Sequence, residues 1–531
     1  MIIVAHNAVS DLGALVRIGL PIPEATYFDT QVAAQWCWPD QEHYGLEHLV
    51  LRTTDMPEWR PTLGKQGIEV FDAMADEDLF RRCAYDAEAG LRLYHVLSPE
   101  IDRLGLRPIW DLAMDVLPTL AEMGGRGMYL DYAKLKHRDT EITAALASEG
   151  ETLAHDLGVE NLDSPAQVST ALFGPRFRAT HLYRTQEGYS VDRVSVLWAR
   201  YCARRDRKDT LESICTRYLQ YTEQEKLRST YYTKWATECA EDHRIRSSYS
   251  LGRTGTGRLA SSKVNLQNIP AVVREIIIPS PGWDELVSVD FKQLELCIAS
   301  LYSEDPNLIR WITEGKDLHA LTATRVLGFP EPVTPEDFKR FKRDHPMERD
   351  CGKMANFSTI FGIEADSLRW KIFKDTGGAS SLSEGEASQY ISAFWALFPG
   401  HKQYGRVIRT QVMKGQEIFS KFGRRWLFSP DDNGWRQAMN YPIQSTASDI
   451  VLLVLRWVNR LLKIDRWKSR IIGEVHDSII FETIRGERDR LIALVRYCCE
   501  HPPTRLFGFQ LPVPLRVDVS VGPTLGSLVE V

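Results

Sequence analysis

Asp290 stands directly after the apolar run 286–289, whose β-branched composition reads as a buried strand. A carboxylate at the end of such a strand needs a cation or strong donors around it, which makes Asp290 a candidate metal ligand. A second acid, Asp477, lies between two β-rich runs in the segment 471–481, which reads as a hairpin with the acid at its tip. Two carboxylates on separate strands could hold a pair of divalent ions about 3.5–4 Å apart, an arrangement that activates an attacking oxygen and stabilises a departing one in phosphoryl transfer. Between the two acids, Arg349, Lys353, Phe357 and Phe361 recur every fourth residue, which keeps them on one slowly drifting helical stripe. Two cations followed by two aromatic rings suit a triphosphate at one end and a sugar and base at the other. Each feature also has a plainer explanation. Asp290 could cap the helix that begins near Gln293, with Glu295 on that helix in solvent, and the basic stripe could be the wet face of an amphipathic helix.

The scaffold for these side chains is legible in outline. Pro281-Gly282 precedes the first acid's strand, and the helix after it has Leu294, Leu296, Ile298 and Ala299 to bury. A loop with three glycines, 252–257, leads into Arg258, and such loops let backbone and phosphate approach closely. Arg436, Asn440 and Gln444 recur at helical spacing, and the apolar run from Val451 through Leu462 continues as a buried helix. Upstream, a helix is expected from Asp131 as cap to Gly158 as stop, with a capping box at Ser164–Gln167 and another start at Ser383–Glu386. Arg200, Arg204, Arg205, Arg207 and Lys208 form a basic cluster, for which a solvated helix face is the simplest account for about half of the cations.

Together these stretches resemble the polymerase motifs of family A DNA polymerases, the group that contains bacterial DNA polymerase I and several phage replicative enzymes. The segments 256–259, 265–270, 314–319 and 436–444 also look like family segments, in family order, so the resemblance covers roughly residues 106–531. It implies an α/β multi-domain, right-handed polymerase: a partial ribonuclease H-like exonuclease domain over 1–105, thumb over 106–240, palm over 241–302 and 433–531, and fingers over 303–432. The implied reaction is template-directed addition of deoxyribonucleotides to a primer 3′ end. Asp290, Asp477 and the backbone oxygen of Phe291 would bind two Mg²⁺ ions, with Mn²⁺ as a possible substitute, and Lys353 would act with them catalytically. Arg349, Lys353 and His319 would contact the triphosphate, with Gln293, Phe357 and Phe361 also at the nucleotide and Glu295 as a gate against a ribose 2′-hydroxyl. Arg258, Asn265, Gln267, Arg436, Asn440, Gln444 and His476 would contact primer and template, while the thumb cations would grip phosphates in a salt-dependent way. Two residues depart from the family pattern: Ser478 stands where glutamate is usual, and Phe361 where tyrosine is usual.

The first hundred residues look like part of the 3′–5′ exonuclease domain of the same enzymes. Asn7 and Asp11 match its second motif and Asp86 its third, but Arg82 falls where the family has tyrosine, and the acid-x-acid pair of the first motif has no place upstream of Met1. With Asp11 and Asp86 alone, a two-metal site lacks its bridging ligands. The expectation is a chain without proofreading by itself, or one completed by a separate upstream polypeptide.

Composition narrows the partners. A formal charge of −6 argues against wholesale coating by nucleic acid and requires that DNA-binding cations be clustered. Nine cysteines without a C-x-x-C pair suit a reducing compartment and offer no zinc framework. No stretch approaches a membrane span, and the apolar start 1–5 is too short for a signal-peptide core. The expected partners are primer-template DNA and deoxyribonucleoside triphosphates, for a monomer in the cytoplasm of a bacterial or phage-infected cell or in an organelle. A single-subunit RNA polymerase is a second reading, against which Glu295 and Phe357 argue, and a nucleic-acid-binding remnant of a polymerase is a third.

Overall fold

The computed structural model describes residues 1–39, 41–59, 74–186, 188–239, 241–475 and 477–531. It is an α/β protein whose chain divides into two compact units, one formed by Met1–Tyr129, Arg246–Ile309 and Gly400–Val531, the other by Leu130–Ile245 and Arg310–Pro399. The breaks fall near 130, 246, 310 and 400, where the sequence drew its domain boundaries at 106, 241, 303 and 433.

The first unit is built on a five-stranded antiparallel sheet in the order Arg470–Val475, Ser478–Thr483, Glu285–Phe291, Val517–Gly522, Val529–Glu530. The central strand buries Leu286, Val287, Val289 and Phe291 and leaves Asp290 exposed. Asp290 is therefore the penultimate residue of the strand and not the residue after it. Apolar side chains at 443, 447, 450, 454 and 458 give the helix Asp432–Ile464 a buried face at helical spacing. The helices Ala8–Arg17 and Arg107–Arg126 meet where Gly125 lies: a Cβ there would come within 2.7 Å of the Gly13 carbonyl. At the N-terminus Ile2–Ala5 pairs in parallel with Thr26–Asp29. Asp29, fully buried, accepts the backbone N–H groups of Asn7, Ala8, Gln31 and Val32, and so satisfies two helix starts at once.

The second unit is largely helical. The helix Tyr132–Leu157 has the expected ends: Asp131 accepts the Lys134 N–H at 3.0 Å, and Gly158 stops it at φ 72°. Ser383 and Glu386 form the complete capping box. At Ser164 only half of the expected box forms, because Gln167 turns its Oε1 to the N–H groups of Glu160 and Asn161 instead of back to Ser164. Leu153, Val196, Leu211, Ile214 and Phe373 share one hydrophobic core, joined by Trp198 and Trp370. Three cations of the basic cluster are engaged within the unit: Arg200 donates to the Gly377 carbonyl, Arg204 pairs with Glu212, and Arg205 with Asp206. The helices Leu318–Leu327 and Pro346–Thr359 cross at Gly352, where a Cβ would lie 2.4 Å from the His319 carbonyl, so only glycine permits the approach. Among the described residues no helix is long and apolar enough to cross a membrane.

Candidate active site

The acids of the first unit are joined by sheet geometry. Asp290 lies opposite Ser478 in the register, and the Phe291 N–H faces the Asp477 carbonyl at 3.4 Å, so the two acids sit at neighbouring strand ends. Ser478, in the position where a carboxylate was expected, donates its Oγ hydrogen to Asp290 Oδ1. Asp290 does not cap the following helix Leu294–Ser303: the cap position is Gln293, held at φ 53° and making no side-chain capping bond. Glu295 is not a solvated helix residue either, since its side chain is only 12 % exposed and forms an ion pair with Arg258. Burial pushes the Glu295 carboxyl up and the Asp477 charge adds to this, against the pull of Arg258. On the edge strand Arg470–Val475, Glu474 is buried, accepts from Gln267 Nε2 at 3.0 Å, and is pushed up to about 8 by burial, with Asp477 again contributing.

Thus Asp477 adds to the burial that raises two nearby acids, and Arg258 favours the ionised form of both. Among the described residues no group of three His, Cys, Asp or Glu side chains is placed to hold a metal ion. The donor set that fits is smaller and made only of oxygen: the two aspartates and the Phe291 carbonyl, with the remaining positions left to substrate and water, as hard divalent cations accept.

Arg258 ends a loop that is clamped from several sides. Trp426 Nε1 donates to the Gly255 carbonyl at 2.8 Å, Ser448 Oγ to that of Gly257 at 3.3 Å, and Gly257 itself adopts φ 74°. Asn265 caps the short turn Leu266–Asn268 by accepting the Gln267 N–H, while Gln267 spends its amide on the Leu259 carbonyl and Glu474. Arg436, Asn440 and Gln444 are half-buried along the helix Asp432–Ile464, and the Asn440 Oδ1 has no hydrogen-bond partner among the described residues. His476 lies outside the described residues.

In the second unit, the helix Pro346–Thr359 carries Arg349, Lys353 and Phe357, but not Phe361. The expected four-residue stripe is shortened because the helix ends at Thr359. Phe361 follows in a turn, its N–H bonded to the Ser358 carbonyl, before Gly362 at φ 75°. Lys353 is exposed, whereas Arg349 donates from Nε to Asp317 Oδ2 at 2.6 Å. His319 is buried, packs its ring 5.3 Å from that of Phe357, and lies 3.2 Å through Nδ1 from the Asn356 amide nitrogen. Burial lowers its pKa to about 4, with Arg349 and Lys353 also disfavouring the proton and Asp317 opposing them, so His319 is a neutral ring at neutral pH. The sequence reading missed Asp317, Thr322, Asn356 and Glu474. The sequence carried no signal for Asn356: its full burial, which obliges the side chain to find partners, is visible only in the structure.

The sequence model of DNA polymerase family A matches residues 132–527. The chain belongs to DNA polymerase family A. It is 28% identical over 554 residues to DNA polymerase I of Treponema pallidum, with 99% of this chain and 51% of that protein covered. It is 29% identical over 542 residues to DNA polymerase I of Rhizobium leguminosarum, with 97% and 50% covered. The chain thus spans about half the length of these curated relatives. A solved structure described as the POL domain of Pol1 from M. smegmatis, in complex with DNA primer-template and dNTP, matches with a TM-score of 0.79 and 25% identity, over 98% of this chain and 86% of that one. Family A polymerases generally use divalent metal ions, with which the oxygen donors at 290, 291 and 477 are compatible.

In this family A chain the N-terminal acids are placed differently. Asp11 lies on the helix Ala8–Arg17 and is pushed up by desolvation and by Asp29. Asp86 lies on the helix Asp76–Arg103, one turn after Arg82, and accepts the Trp59 indole N–H at 2.9 Å. Asn7 begins its helix at φ 72° with its backbone N–H on Asp29 and no side-chain capping bond.

Proposed function

We propose that this chain is a template-directed DNA polymerase that extends a primer 3′ end with deoxyribonucleotides by phosphoryl transfer. The observation that carries the proposal is the placement of Asp290, next to the end of its strand, beside Asp477, which directly precedes the antiparallel neighbour Ser478–Thr483. In this reading the sheet is the palm, residues 106–240 and 303–432 serve as thumb and fingers, and primer-template DNA and deoxyribonucleoside triphosphates are the partners of a monomer.

Asp290, Asp477 and the Phe291 carbonyl would hold two Mg²⁺ ions, which when bound lower the pKa of a hydroxyl nucleophile and stabilise charge on the phosphates. Ser478 keeps the Asp290 carboxylate oriented by donating to one of its oxygens. Lys353 and Arg349 place fixed positive charge on the triphosphate, and such preorganised charge is usually the largest catalytic contribution. Asp317 holds Arg349 in place for that task. Glu295, anchored by Arg258, fills the space a 2′-hydroxyl would need, and Phe357 stacks on the nucleotide. Gln293 and Phe361 are assigned to the nucleotide, and Arg258, Asn265, Gln267, Arg436, Asn440, Gln444 and His476 to the primer-template. For the N-terminal region, the engagement of Asp86 with Trp59 supports a chain that does not proofread by itself, with a separate polypeptide carrying the missing ligands as the variant of this reading.

The test is extension of a labelled primer on a DNA template with Mg²⁺, comparing deoxyribonucleotides with ribonucleotides. Extension with deoxyribonucleotides alone is the expected result. Extension with ribonucleotides alone would make the chain an RNA polymerase, and binding of the primed template without extension by either would make it a binding remnant.

A further inference from the structure

We propose that Asn356 and Thr322 lock the imidazole of His319 in its Nε2–H tautomer, so that a neutral N–H donor is offered to the incoming nucleoside triphosphate. The nucleotide half of this inference rests on the polymerase reading above; the tautomer rests on hydrogen bonding alone.

The chain of bonds leaves one assignment. The Asn356 amide nitrogen lies 3.0 Å from the Leu318 carbonyl oxygen, which can only accept, so the atom facing it must be the NH₂ group. The Asn356 Oδ1 is then free to accept, and the Thr322 hydroxyl lies 2.7 Å from it. The second hydrogen of the NH₂ group is directed at His319 Nδ1, 3.2 Å away. An atom that accepts there cannot carry a proton, so the ring proton resides on Nε2. Asn356 is fully buried and Thr322 is too, so water cannot substitute for either partner. Among the described residues Nε2 has no hydrogen-bond partner, and it is not sealed from solvent.

The surroundings favour the neutral form. Desolvation is the largest influence on His319, Arg349 and Lys353 add to it, and Asp317, bound to Arg349, opposes them. The Phe357 ring covers one side. A neutral N–H near Arg349 and Lys353 can bond a phosphate oxygen without placing a further positive charge in the buried ring when the site is empty. Asn356 and Thr322 touch no reacting atom in this scheme and act as positioning residues.

The full chain labelled with ¹⁵N-histidine, with His319→Gln used to assign the signal, tests this directly. The expected spectrum shows a neutral Nε2–H tautomer for His319 throughout pH 6–8. Asn356→Asp keeps the shape but replaces the donor by an acceptor, so the proton should move to Nδ1 or the ring should become charged. The same variant should raise the KM for deoxyribonucleotides about tenfold, as loss of one hydrogen bond to a charged group does, with kcat and primer-template Kd within twofold. Thr322→Val removes the donor to Asn356, together with a longer bond to the Leu318 carbonyl at 3.2 Å, and should raise KM about threefold, which keeps the test open if Asn356→Asp does not fold. An Nδ1–H signal in the unmodified chain, or KM and tautomer unmoved in both variants, overturns the proposal. If the unmodified chain shows the Nε2–H tautomer but extends no primer, the polymerase reading fails and the donor role falls with it, while the hydrogen-bond arrangement stands.

Discussion

Two pairs of aspartates in this chain, one proposed as the metal site and the other resembling exonuclease positions, stand on different scaffolds. Asp290 and Asp477 sit at neighbouring strand ends in a five-stranded sheet, where Asp290 accepts the Ser478 hydroxyl hydrogen. Asp11 and Asp86 stand on two different helices, and Asp86 is taken up by the Trp59 indole. The best-placed acid of that region, Asp29, has its oxygens committed to four backbone N–H groups at two helix starts. A carboxylate can hold a cation only with lone pairs that the fold has not already used. Sheet register brings one pair to neighbouring strand ends, whereas the other pair stands on separate helices, with the nearby Asp29 spent on helix capping.

The contrast can be broken most sharply at the acids themselves. Asp290→Asn or Asp477→Asn should each lower primer extension by on the order of 10³-fold or more, measured as single-turnover rate, because each removes a ligand on which the whole site depends. Asp11→Asn and Asp86→Asn should leave that rate within twofold. Lys353→Ala should cost about 10²-fold in the same assay by removing charge from the triphosphate, with primer-template affinity little changed. Ser478→Ala sharpens the comparison by removing the hydroxyl donor to Asp290: the Mg²⁺ concentration for half-maximal rate should rise about tenfold, as for loss of a group that orients a metal ligand.

The smallest expected effect is on stability. Glu474 is raised in the folded chain to about 8 from the usual carboxylate range. The folded state therefore binds a proton that the unfolded state has released, and the stability this contributes is full below about pH 4.5 and is lost as pH rises through about 8. Glu474→Gln should remove that loss, so that the Tm measured without added metal declines less between pH 6 and 9 than in the unmodified chain.

Much of the scaffold could be read from the chain. The end signals at Asp131, Gly158 and Ser383 work within one or two turns of backbone and appear where the residue types say. The strand bearing Asp290 and the hairpin bearing Asp477 are likewise local patterns of apolar and β-branched residues. Local reading failed where a competing partner was near: Gln167 found two other N–H groups, and the stripe through Phe361 was cut by the stop before Gly362.

By itself the sequence determined which residues could do chemistry, because carboxylates beside apolar β-rich runs and cations four residues apart are visible without any contact. The tertiary structure alone decided what those residues are bonded to. Ser478 reaches Asp290 across 188 positions, Gln267 reaches Glu474 across 207, and Asn356 reaches His319 across 37. The physical reason is that a buried polar group must be satisfied, but nothing in its own segment names the partner. The choice among acceptors, and with it the charge of His319 and of Glu474, is made only when distant elements pack.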